Sequence, residues 1–210
     1  MSIELSAILN VLVSPALTIG ISLTALLISL ISLWKTHLSP FNLEISHTSP
    51  TFSLYKITPK MSGDKQKRTW WIPSLNIGLS FHNIGQKMGQ VINIRIVGEI
   101  ESNSTKIIFY PIWIVNYATY QKYRTDRFKW LETSVERHWY PLILEGKGTQ
   151  HLHLVLESST RLETQITGLM KFRLEVLSSS DKGKWRLCKR YSLPLTKDMY
   201  ANKHTYMIGS

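Results

Sequence analysis

From Leu5 to Trp34 the chain carries no Asp, Glu, Lys, Arg or His. A helix of about 30 residues rises about 45 Å, more than the roughly 30 Å hydrocarbon thickness of a bilayer, with room for tilt. The run predicts a membrane span, favoured by Leu and Ile side chains between Leu17 and Leu33 at about 0.3 to 0.6 kcal/mol each. A cleavable signal is the rival reading. Against it, Glu4 stands where a basic segment is needed, and Ser32-Leu33-Trp34-Lys35 offers no small-residue cleavage site. Residues 1–36 are therefore read as a permanent anchor, with Trp34 in the interfacial aromatic belt, Lys35 and His37 beyond it, and Pro15 at a kink or the true helix start.

Within the span, Asn10, Ser14, Thr18, Ser22, Ala25, Ser29 and Ser32 follow at steps of four or three, so they share one helix face. Leu12, Ile19, Leu23, Leu26, Leu27, Leu30 and Leu33 lie opposite and suit lipid. Small residues let helices approach closely, which predicts a homo-oligomer joined through Ser14, Thr18, Ser22, Ala25, Ser29 and Ser32. In the plainer alternative these hydroxyls bond their own helix four residues back and the anchor stands alone. A wet pore is a third arrangement, with nothing charged on the stripe to favour it.

The body beyond the span is basic: 25 Lys and Arg against the 13 acidic residues that follow Glu4, a balance of +12. That charge draws a domain toward anionic lipid headgroups, nucleotides or nucleic acid. Lys35, just beyond the span, and Lys65, Lys67 and Arg68, in a polar loop, are the expected headgroup contacts. With Lys35 on the downstream side and Glu4 upstream, the positive-inside tendency places the C-terminal domain in the cytoplasm. Cys188, the single cysteine, forms no internal disulfide, in keeping with that side. Asn103-Ser104-Thr105 matches a glycosylation acceptor, taken here as chance.

After Phe41 the apolar period changes from helical to alternating. Phe41, Leu43 and Ile45 form one strand, Phe52 and Leu54 the next. The clearest strand is Ser74 to His82, where Leu75, Ile77, Leu79 and Phe81 face inward. Gln90 to Ile100 returns with Ile92, Ile94 and Ile96 inward, and Thr105 to Val115 is apolar on both sides, broken by Pro111. Leu152, Leu154 and Leu156 mark a later strand, Met170, Phe172, Leu174 and Val176 another, and Trp185, Leu187, Tyr191, Leu193 and Leu195 end the series. About seven or eight short strands with turns between them predict an all-β antiparallel sandwich over residues 37–196. Residues 197–210 are expected as a polar tail.

Ser80-Phe81-His82-Asn83-Ile84-Gly85 before an isoleucine-rich strand resembles the strand and Asn-x-Gly turn of bacterial immunoglobulin-like sandwiches. Tyr140-Pro141-Leu142 to Gly148, leading into His151-Leu152-His153-Leu154, is similar to the proline, glycine turn and strand of the same domains. The resemblance implies an immunoglobulin-like fold and no activity, because that fold hosts many unrelated roles.

Residues 116–140 break the alternation. Phe128, Leu131, Val135 and Trp139 recur at three to four, which predicts a short amphipathic helix around Asp126 to His138, inserted on the sandwich. Tyr120, Tyr123, Arg124, Arg127, Lys129 and Trp130 are its candidate ligand or partner surface, since interleaved aromatics and cations stack on bases, meet headgroups or bind proteins. In the plainer alternative they cover an open end of the sandwich. His151 and His153 share a strand face, but no third metal ligand stands nearby in sequence. Phosphate-loop, zinc-protease, nucleophile-elbow and dinucleotide patterns are absent. The sequence predicts a non-enzyme without cofactor: a single-pass, self-associating binding protein. The alternative is an effector whose basic domain senses an anionic nucleotide or nucleic acid and alters a helix assembly in the membrane.

Overall fold

A computed structural model of the chain describes residues 15–57, 70–101, 105–162, 164–201 and 205–207. Helix α1 (Pro15–Leu33) runs into a π-helical turn, Trp34–Leu38. Together they form a rod, Leu17–Leu38, of mean hydropathy 2.1, long and apolar enough to cross a membrane, with none of its surface buried against the rest of the chain. Among the described residues its large apolar side chains, Ile19, Leu23, Leu26 and Leu30 with them, are exposed, and the body does not cover them.

The alternation read at Ser74 to His82 is the middle of a longer strand around which the body is laid out. The strands are β1 (Leu43–His47), β2 (Thr51–Ile57), β3 (Trp70–Asn83), β4 (Gly89–Ile100), β5 (Lys106–Val115), β6 (Val135–His138), β7 (Leu142–Leu144), β8 (Thr149–Ser158), β9 (Gly168–Ser178), β10 (Arg186–Leu195) and β11 (Thr205–Met207). Every pairing among them is antiparallel, in the order β10-β9-β4-β5-β8-β3-β2-β11. The short strands β1, β6 and β7 join β3, β5 and β4 respectively. The sheet curls into a nearly closed barrel. Its open seam lies where Arg186 on β10 donates to the Leu43 carbonyl on β1 (3.0 Å) and the Tyr191 hydroxyl meets His47 Nδ1 (2.9 Å).

Inside, Leu75, Ile77, Leu79 and Phe81 of β3 pack with Leu154 and Leu156 of β8, Ile94 and Ile96 of β4, and Phe172 and Leu174 of β9 in one continuous core. Alternate residues point inward because successive side chains of a strand take opposite faces. Helices α2 (Tyr117–Tyr123) and α3 (Arg127–Thr133) lie between β5 and β6, and α4 (Asp198–Ala201) precedes β11.

β3 sets the two ends of the body. Its C-terminal half pairs with β1, next to the rod, and its N-terminal half with β2. At about 3.3 Å per residue, Trp70 lies about 43 Å along the strand from Asn83. The chain around 84–88, 145–148 and 179–185 turns at the rod's end, and that flanking residues 58–69 at the far end.

Four expectations change. Ile92 faces out, because β4 bulges between Val91 and Asn93 and inverts the alternation there; Val91 takes the inward place. Leu187 is exposed for the same reason, a bulge at Cys188. The stretch expected as a polar tail continues the fold: Met199 and Tyr200 are buried, the Tyr200 hydroxyl donates to the Ile166 carbonyl (2.8 Å), and β11 pairs with β2. The strand count exceeds the expected seven or eight because β6, β7 and β11 are too short to register as alternation.

Candidate functional site

The rod enters the body through a junction built on one amide. Asn83, at the end of β3, is 2% exposed. Its Nδ2 donates to the Lys87 carbonyl (2.9 Å) and the Glu145 carbonyl (2.8 Å), and its Oδ1 accepts from the amides of Gly85 (3.0 Å) and Asn42 (3.3 Å). Two carbonyls on one side and two N–H groups on the other fix which way the amide points. The side chain thus ties the linker after the rod to both neighbouring loops.

The backbone adds to it. The amides of Gln86 and Lys87 both donate to the Ser39 carbonyl, and Gln86 N–H also reaches Ser39 Oγ (3.0 Å). Lys147 N–H donates to Gly85, and its ammonium to Ile84 (2.6 Å). A Cβ on Gly85 would stand 1.8 Å from the Pro40 carbonyl oxygen, so only glycine lets loop and linker lie this close. The rod is joined to the body without slack.

The insertion is packed in a different way from the one its periodicity predicts. Asn116 and Asp126 cap α2 and α3 by accepting from the amides of Thr119 and Lys129, so the chain forms two short helices of about two turns each instead of one amphipathic helix. Trp130, not Phe128, is the buried ring: Trp130 is 0% exposed and Phe128 71%. Trp130 and Tyr120 pack with Tyr55, Val115 and Val155 in a second, smaller core on the outer face of the sheet. Trp130 Nε1 donates to the Tyr55 hydroxyl (3.1 Å), which donates in turn to the Arg124 carbonyl (3.1 Å). Burial pushes both the Tyr55 and Tyr120 phenols upward, with Tyr55 adding to the effect on Tyr120, so both stay protonated donors.

Arg127 pairs with Glu157 of β8 through both its terminal nitrogens, Nη2 to Oε2 at 3.0 Å, with both side chains largely shielded. Its guanidinium also lies 5.5 Å from the Tyr55 ring and 5.8 Å from that of Trp130. Tyr120 and Trp130 are thus no stacking surface for a base, because their faces are occupied by this core. What the expected surface leaves toward solvent is Tyr123, half-buried between Lys129 (4.5 Å) and Lys122 (5.2 Å), with Arg124 held by Gln121 Oε1 (2.7 Å).

The other expected residues fall as follows. Thr18, Ser22, Ala25, Ser29 and Ser32 are exposed on α1, clear of the body; Ser14 lies outside the described residues. Thr24 bonds the Gly20 carbonyl of its own helix (2.8 Å). Lys35 sits on the π-helical turn beside the junction. Lys65, Lys67 and Arg68 lie outside the described residues, and the strand ends that flank them, Ile57 and Trp70, are at the far end of β3 from the rod. His151 Nδ1 meets Ser80 Oγ (2.6 Å), while His153 stacks on Tyr117 at 4.3 Å. Among the described residues no three His, Cys, Asp or Glu stand together as a metal site.

No protein-family model matches the sequence, and no curated protein matches it. Two solved structures share weak likeness. The crystal structure of an ApaA protein from Bordetella pertussis is 12% identical, at TM-score 0.31, over 81% of this chain and 95% of that one. The X-ray structure of a structural-genomics target, SoR45, is 10% identical, at TM-score 0.30, over 73% and 85%. At these scores the likeness carries no argument about fold or function.

Proposed function

We propose that this chain is a single-pass membrane protein that holds a basic β-body at the cytoplasmic leaflet as an interaction module, and that copies meet through the small face of α1. One observation carries the reading: an apolar rod, exposed along its described length, joins the body through Asn83 and Ser39 with no flexible spacer. A removable leader has no need of such a joint. The exposed row Thr18, Ser22, Ala25, Ser29 and Ser32 supports close helix approach. We further infer an immunoglobulin-like sandwich. In support, β5 pairs with β4 over Lys106–Phe109 and with β8 from Phe109 to Ile114, as a strand does that passes from one layer to the other. No catalytic role is proposed. The nucleotide-sensing alternative keeps the basic charge of the body but loses Tyr120 and Trp130 to packing.

The test is expression of the full chain, followed by carbonate extraction of membranes and mass measurement of the N-terminus. Retention in the pellet with the first residues intact supports the anchor; a soluble or N-terminally trimmed product overturns it. Sedimentation in detergent, before and after replacing Ser22, Ala25 and Ser29 by Leu, tests assembly. A wild-type monomer would remove that part of the reading.

A further inference from the structure

We infer that the rod is not the only membrane contact: the loops at its end of the body dock on the leaflet, with Ile84 and Met88 in the interfacial layer and Lys87, Lys147, Lys182 and Lys184 on anionic headgroups. The inference rests on the membrane-anchor reading above. Trp34 is a half-exposed ring at the end of the apolar run, where an interfacial anchor belongs. Ser39 follows five residues later, at most about 7 Å further on, since a π-helical turn rises less per residue than an α-helix. The headgroup layer is itself about 5 to 8 Å deep on each side. Ser39 therefore lies at the outer edge of that layer, and the amides of Gln86 and Lys87 are hydrogen-bonded to it.

The loop so held carries two exposed large apolar residues, Ile84 at 45% and Met88 at 67% exposure. Its neighbours are tied to it. Lys147 N–H donates to Gly85, and Ser179 N–H donates to Gln90, just past the loop (2.9 Å). These three loops present four exposed lysines. The acidic residues among them are Glu145 and Asp181, and Asp181 is turned inward, accepting from the Ser178 amide (2.8 Å). Exposed apolar side chains ringed by lysine match an anionic bilayer surface, where each lysine is attracted within about a Debye length. Nucleic acid would accept the lysines and leave Ile84 and Met88 unexplained.

The test uses the full chain reconstituted in vesicles that carry a nitroxide lipid in both leaflets, either neutral phosphatidylcholine or with phosphatidylserine added. Cys188→Ser removes the native thiol, and a fluorophore is attached at Met88→Cys or, as the far-end control, at the exposed Gln165→Cys. Docking predicts quenching at position 88 and none at 165, stronger with phosphatidylserine. Each of Lys87→Gln and Lys147→Gln should lower the docked-to-undocked ratio about fivefold. If the chain floats with the vesicles but the probe at 88 is unquenched, or is quenched no more than at 165, the docking inference is overturned and the anchor stands. Equal quenching on neutral vesicles, unmoved by the lysine variants, overturns the headgroup contacts. A chain that does not float overturns the anchor itself.

Discussion

Asn83→Ala removes four hydrogen bonds from a nearly closed site and replaces them with nothing. The carbonyls of Lys87 and Glu145 lose their donor, and the amides of Gly85 and Asn42 lose their acceptor. At about 0.5 to 1.5 kcal/mol net for each bond, the loss spans about 2 to 6 kcal/mol. The long contact to Asn42 belongs at the weak end, and the junction lies close enough to the surface for water to reach part of it, so about 3 kcal/mol is expected. For a body of this size that lowers Tm by about 6 to 12 °C. Thermal unfolding followed by near-ultraviolet circular dichroism, on the full chain in detergent, measures it. Hydrogen exchange at Gly85 and Asn42 shows whether the loss is at the junction. Asn83→Asp should be at least as damaging at neutral pH, because a carboxylate would face two carbonyl oxygens. A fall below about 1 kcal/mol, with exchange at Gly85 unchanged, would refute the view that this amide holds the linker to the loops.

Trp130→Ala should cost about 3 to 5 kcal/mol by opening a cavity in the second core, whereas Phe128→Ala, two residues away and exposed, should stay within about 0.5 kcal/mol in denaturant titrations. Comparable losses at both sites would contradict the packing. Arg127→Ala leaves the Glu157 carboxylate shielded and unpaired, at about 3 to 5 kcal/mol, while Arg127→Met combined with Glu157→Leu should recover most of that. A double variant as unstable as the single one would count against the pairing. Burial holds His153 below its ordinary value of 6.5, against a smaller upward pull from Glu136. The unfolded chain therefore takes up that proton first as pH falls. The contribution is complete above about pH 6.5 and is lost as pH drops through it toward the lower folded value. His153→Phe keeps a ring against Tyr117 and should flatten the acid-side loss between about pH 7 and pH 5; an unaltered profile would show that the ring does not matter.

The strands were legible wherever one face is wet, as at Leu75, Ile77, Leu79 and Phe81, because alternation then records which way each side chain points. A bulge erases that record: nothing in Val91-Ile92-Asn93 announces that one residue drops out of register. The insertion misled for a related reason. In helices of two turns or fewer, spacing alone does not choose between Phe128 and Trp130; the choice is made by Tyr55 and Val155, on strands remote in sequence. Asn83 reads as an ordinary turn residue. Its partners at positions 42, 85, 87 and 145 converge only once β1, β3 and β8 are side by side. The rod was the most legible element, since an uncharged run needs no tertiary context to be recognised.

Chains confined to a bilayer share a thin sheet of volume and collide in a fixed upright pose, which is the setting in which free strand edges zip one copy to the next. Here β10 and β1 turn their free edges toward each other across the seam, and β10 carries Lys189, Arg190, Pro194 and an extra residue at Cys188. Like charge, a missing donor and a local twist each spoil a ladder with a neighbour. If the chain is anchored as proposed, these features act against pairing of bodies along that seam and leave α1 as the proposed meeting place of copies.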